Sequence, residues 1–95
     1  MTRAEKDHLD AVASLGCIIC RMPAEIHHIG NGTMGKKASH FETIPLCPDH
    51  HRLGGRGTAI HAGRASWEAK FGTEKELLAR VLQELQWQPA TEDEF

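Results

Sequence analysis

The sequence predicts a small α+β domain, with a β-β-α centre, one helix before it and helices after it. Three observations carry that expectation. Leu9, Val12 and Leu15 recur at helical spacing in a charged opening segment. Two short β-favourable runs, residues 25–29 and 43–46, flank a glycine-rich stretch. Leu77, Leu78, Val81, Leu82 and Leu85 line one side of a segment that opens with Thr73-Glu-Lys-Glu76, a helix-capping box.

Taken in order, the first helix covers residues 3–15 and stops at Gly16. Cys17-Ile-Ile-Cys20 follows directly, and Arg21-Met-Pro23 is a turn signal. Residues 30–35 carry three glycines, which oppose both helix and strand, so this stretch is loop. Pro45 within the second extended run marks a sheet edge or a strand end, because it has no N–H to donate. Residues 49–53 start a helix that Gly54-Gly55 stops, and residues 66–72 form a short helix closed by glycine. The last helix buries its leucine face, and residues 89–95 are an acidic, frayed tail. The expected organisation is one domain over residues 1–88 plus that tail.

A 95-residue chain buries only about 60–65% of its unfolded surface, so an added staple is expected. Three cysteines cannot all pair as disulfides, and seven histidines accompany them. Cys17-x2-Cys20 and Cys47-x2-His50 form two chelating pairs separated by 26 residues. Each pair can grip one face of a tetrahedral ion, and together they fill the four positions of structural zinc. All four donors are consumed in closing that shell, so the expected role is structural. The opening segment has no apolar core of the signal-peptide type, and no run approaches a membrane span. A cytoplasmic protein with reduced thiols is therefore expected.

Net charge is −2, which by itself argues against a nucleic-acid partner. Its distribution does not: residues 21–64 hold six Lys/Arg against three acids, whereas residues 65–95 hold three against seven. A basic centre with an added metal charge can meet a phosphate backbone. Arg52, Arg56, Arg64, Lys36 and Lys37 are the candidate phosphate contacts.

Outside the four-donor set remain His8, His27, His28, His40, His51 and His61. Neighbours in a strand point to opposite faces, so His27 and His28 divide two tasks, one toward a metal and one toward a scissile phosphate. His51 adjoins His50 and points elsewhere, toward where His27 can reach. The more ordinary readings are an exposed His8, a locally bonded His40, and core packing for Trp67, Phe71 and Trp87.

With these residues in view, the chain resembles the HNH (ββα-metal) endonucleases. The resemblance lies in Glu25-Ile-His-His-Ile29, the glycine loop, Ile44-Pro-Leu-Cys47 and Cys47-Pro-Asp-His-His51. The ordered blocks LGCIICR, EIHHIG, MGKKASHFETIPLCPDHH, GGRGTAIHAGR and WEAKFGT are most similar to the phage Ref (recombination enhancement function) family of RecA-dependent nucleases. That similarity covers roughly residues 5–85. It implies a zinc-stapled ββα-metal core, with His27 and His51 as ligands of a catalytic divalent ion and His28 as general base. Many HNH members carry a third metal-binding histidine four residues later, where this chain has Gly55; His61 is the nearest substitute. Where many members carry an asparagine that orients the base, this chain has Glu42.

The resemblance implies hydrolysis of DNA phosphodiesters to a 5′-phosphate and a 3′-hydroxyl, with Mg or Mn as the catalytic ion and Zn as the structural one. It also implies a phage or prophage recombination setting and a RecA filament as partner. Ref-like proteins engage RecA through a basic N-terminal segment that this sequence does not show. Two other readings stay open at this stage. One is a non-catalytic zinc-stabilised DNA- or protein-binding module; the other is an HNH adaptor that has lost its chemistry.

Overall fold

The structure, a computed structural model, describes residues 1–29 and 39–86. Helix α1 spans Arg3–Ser14. It opens with a capping box: Thr2 Oγ1 accepts from the Glu5 N–H at 3.1 Å, and Glu5 Oε1 accepts from the Thr2 N–H at 2.7 Å. Val12 is fully buried, and Leu15 packs against the core. The helix ends at Gly16, at φ +77, where a Cβ would stand 2.8 Å from the Arg21 carbonyl oxygen. Only glycine fits that close return of the chain. His8, expected to be exposed, is instead half-buried: its Nε2 is enclosed without a hydrogen-bond partner among the described residues, and its ring lies 5.1 Å from that of Phe41.

Strand β1 (Glu25–His28) pairs antiparallel with β2 (Thr43–Leu46), placing Glu25 opposite Leu46, Ile26 opposite Pro45, His27 opposite Ile44 and His28 opposite Thr43. Pro45 lies inside β2 rather than at its end. A two-stranded sheet makes this tolerable, since both strands are edges. The outer side of β2 is not bare, because the Pro45 carbonyl accepts from the Ile18 N–H at 2.8 Å. The expected glycine loop, with Lys36 and Lys37, lies outside the described residues.

After β2 the chain makes one π-helical turn, Asp49–Leu53, closed by the Gly54 N–H donating to the Asp49 carbonyl at 3.0 Å. Gly54 has no room for a side chain: its Cβ would collide with the Asp49 oxygen and approach Thr58 Cγ2 to 2.6 Å. A 3-10 turn, Ile60–Ala62, leads into α2 (Arg64–Phe71). Trp67 on α2 is fully buried and donates its indole N–H to the Thr58 carbonyl at 3.0 Å. Helix α3 (Glu74–Gln86) begins at the expected capping box, with Thr73 and Glu76 bonded reciprocally at 2.9 and 3.1 Å. Leu77 and Val81 are buried, and Leu78 and Leu85 pack at the margin. Leu82 departs from the expected face. It is 38% exposed, while Leu77 and Val81 on the same helix are buried in the core. Trp87 and the acidic tail lie outside the described residues.

Val12, Ile18, Ile44, Leu46, Ile60, Trp67, Leu77 and Val81 form one cluster with Cys17 and Cys47. Arg21, held in the left-handed region at φ +67, makes a two-pronged ion pair with Glu84 at 2.8 and 2.6 Å. This pair ties the cysteine turn to α3. No helix among the described residues is long and apolar enough to cross a membrane.

Candidate metal centres

Cys17 and Cys20 sit on the turn after α1; Cys47 directly follows β2, and His50 lies in the π-helical turn. The fold brings the four together, with all donor atoms within 4.8 Å of one another. Cys20 Sγ lies 3.7 Å from Cys47 Sγ, and His50 Nδ1 lies 3.7 Å from Cys17 Sγ and 3.2 Å from Cys47 Sγ. A tetrahedral zinc with bonds of ~2.3 Å to sulfur and ~2.05 Å to nitrogen needs edges of ~3.8 and ~3.6 Å. The donor set therefore fits a closed structural ion. The sulfur separation is far too long for a disulfide, which needs ~2.05 Å, and all three cysteines are free.

Burial by itself would raise the Cys17 thiol, but backbone donors at Cys47, Cys20 and Ile19 outweigh it, so its pKa lies below the ordinary value. One of those contacts is the Ile19 N–H, 3.4 Å from Cys17 Sγ. Cys47 Sγ likewise receives the His50 N–H at 3.5 Å. Such outer contacts orient metal ligands and favour thiolate. His50 is further held by the Phe71 ring, edge-on at 5.4 Å.

A second group forms from His27 on β1, His51 on the π-helical turn and His61 on the 3-10 turn, again with donor atoms within 4.8 Å of one another. Their ring centroids stand 5.1, 5.5 and 4.5 Å apart. Three imidazoles bound to one ion at ~2.1 Å place their centroids ~3.2 Å from it, hence ~4.6–5.3 Å from each other. These rings are already near that spacing. The two groups differ in completeness. The first has four donors; the second has three, and His61 is exposed, which leaves a side open to solvent.

Sequence reasoning missed the carboxylates behind these histidines. His51 Nδ1 is 2.8 Å from Glu25 Oε1, and His27 Nε2 is 2.7 Å from Glu74 Oε2. Glu25 was detectable, since it lies two positions before His27 and shares its strand face. Glu74 is 47 residues from His27 and has no local signature. Burial lowers the His27 pKa, only partly offset by Glu74, so the ring is held neutral and able to ligate.

His28, the last residue of β1, projects from the other strand face. Its Nε2 lies 2.9 Å from His40 Nδ1, so His40 does more than bond locally. Burial, and then the neighbouring His40, lower the His28 pKa. Glu42 is exposed and lines a cleft of about 580 Å³ with Ile29, Arg64, Glu68, Thr73, Glu74 and Lys75.

Among the described residues, three arginines of the basic centre are paired within the molecule. Arg52 grips Glu25 at 2.6 and 3.0 Å, Arg21 grips Glu84, and Arg64 lies 3.4 Å from Glu74. Hydrogen bonds from Arg52 and His51 hold the Glu25 carboxyl at a pKa of about 2. Arg56 is exposed.

The fold and its two donor groups define a small α+β domain with the ligands for one closed metal site and three histidines gathered at a second place. The chain belongs to the family described as "Protein of unknown function (DUF968)", whose model matches residues 1–86. It is also similar to the "Uncharacterized protein YdfU" of Escherichia coli (strain K12), 36% identical over 70 residues. That alignment covers 70% of this chain and 18% of the relative, so the chain spans under a fifth of that protein's length.

Proposed function

We propose that this chain is a zinc-braced, metal-dependent DNA endonuclease of the HNH type, acting in phage or prophage recombination. The observation that carries the reading is the convergence of His27, His51 and His61 from three different elements, with His28 next in the strand. A zinc module without chemistry needs only Cys17, Cys20, Cys47 and His50, and it leaves that convergence without a task.

Phosphodiester hydrolysis requires a deprotonated water and relief of charge on the phosphate and the leaving oxygen. A divalent ion such as Mg or Mn, held by His27, His51 and His61, supplies the charge relief. The protein's residues do the rest. In the tautomer whose Nε2–H donates to His40 Nδ1, His28 presents an Nδ1 lone pair that can take the water's proton. Its lowered pKa keeps that lone pair available at neutral pH. Among the described side chains, exposed Arg56 is the candidate to meet backbone phosphates, whereas Arg52 and Arg64 would do so only by giving up Glu25 and Glu74.

The test is nicking of supercoiled plasmid with Mg or Mn, with EDTA and His28→Ala as controls. A second arm uses single-stranded DNA with and without a RecA filament and ATP. Absence of cleavage in every arm, from zinc-loaded protein, refutes the nuclease reading in favour of the zinc-stabilised binding module.

A further inference from the structure

Glu74 is a buried carboxylate that the proposed hydrolysis does not use. It is the first residue of α3, and its side chain is only 8% exposed. Burying a carboxylate is costly unless it is well paired, and a leucine there would serve packing better. Its two oxygens are committed separately, Oε2 to His27 Nε2 at 2.7 Å and Oε1 toward Arg64 Nη1 at 3.4 Å. Its own N–H donates to Glu68 Oε2 at 2.9 Å, which fixes the start of the helix.

A carboxylate paired with arginine accepts hydrogen bonds and donates none. His27 must then carry its proton on Nε2, and its lone pair sits on Nδ1. Glu74 touches His27 without joining the group of mutually close donors, so it lies outside the metal shell. His51 has the converse arrangement: Nδ1 faces Glu25, leaving the lone pair on Nε2. Carboxylates that hold the outer nitrogen of a ligating histidine set its tautomer and ring orientation.

We infer that Glu74 is a positioning residue that fixes His27 to bind a divalent ion through Nδ1, while Glu25 fixes His51 to bind through Nε2. This rests on the reading that the three histidines hold an ion, and it ties α3 to a site otherwise built from β1 and the two turns after β2.

The experiment adds a second equivalent of Zn²⁺ to 15N-labelled protein already holding its structural zinc. Two-bond proton–nitrogen correlations then report which nitrogen of each histidine is coordinated. His27 is expected to coordinate through Nδ1 with a protonated Nε2, and His51 the reverse. Glu74→Ala should weaken the second zinc by about 10–100-fold and leave the first stoichiometric. Glu74→Gln, whose amide oxygen can still accept from Nε2–H, should recover most of that loss. Coordination of His27 through Nε2, or unchanged affinity in Glu74→Ala, overturns the inference while leaving the histidine site standing. If the wild-type protein takes up no second zinc at these histidines, both fall. The wild-type spectrum decides the matter even if Glu74→Ala does not fold.

Discussion

Replacing Cys20 by alanine removes one of four donors at the surface of the molecule, so it tests the staple without opening a core cavity. Cys20 is exposed, whereas Cys17 and Cys47 are buried. The ion would close the span from Cys20 to Cys47, 28 residues inclusive. A cross-link over a loop of that size removes about 3–4 kcal/mol of chain entropy from the unfolded state. A small domain has a total stability of only ~5–15 kcal/mol. At roughly 4–8 °C per kcal/mol for a domain of this size, a Cys20→Ala variant that loses the ion should melt roughly 12–32 °C lower. Stripping the zinc should do at least as much, since structural zinc contributes ~10–16 kcal/mol in small metal-dependent folds. The assay is zinc per chain by mass spectrometry beside circular dichroism melting. Met22→Ala, at a neighbouring side chain that is 59% exposed, serves as the control and should melt like the wild type. A Cys20→Ala or zinc-free protein melting within about 2 °C of the wild type would refute the reasoning.

Four further outcomes are expected. His28→Ala should retain fold and metal content yet lose cleavage by ~10²-fold or more, whereas His27→Ala and His51→Ala should lose both cleavage and the second ion; a His28→Ala variant that cuts at the wild-type rate would identify another base. Cleavage should be full above the His28 pKa and fall as acid protonates that base, and because burial lowers the pKa, the fall in a pH–rate profile should come below the ordinary value of 6.5. The lowered Glu25 pKa acts on stability: its contribution is present above 4.5 and lost as pH falls toward about 2, so Arg52→Ala should flatten the acid limb of a stability–pH curve over that window. Finally, log K for DNA binding should fall with log salt at a slope near −1 per phosphate contacted, and Arg56→Ala should reduce the slope by about one unit; an unchanged slope would remove Arg56 from the interface.

Much of the framework was legible in the sequence because its signals are local. The periodicity of Leu9, Val12 and Leu15, the Thr73–Glu76 box and Gly16 each act within a turn or two of chain, and α1 and α3 lie where those residues place them. The spacing of Cys17, Cys20, Cys47 and His50 was also readable, since each chelating pair is a local geometry that needs only one long-range closure. Less legible was the π-helical turn at Asp49–Leu53, which looked like the start of an ordinary helix. Leu82 satisfied the helical period yet faces solvent, because period says nothing about the width of the surface that covers it.

Residue types, spacing and punctuation by themselves determined the α+β class, the starts of α1 and α3, the two strands and the inventory of donors. Tertiary structure decided which donors meet. It brought His61 to His27 and His51, placed His40 against His28, and put Glu74 behind His27 from 47 residues away. It also turned Arg21, Arg52 and Arg64 from a basic run in the sequence into partners of Glu84, Glu25 and Glu74. The physical reason is range: backbone propensities and capping act over a few residues, whereas side-chain contacts between distant segments are set by how the elements pack around one core.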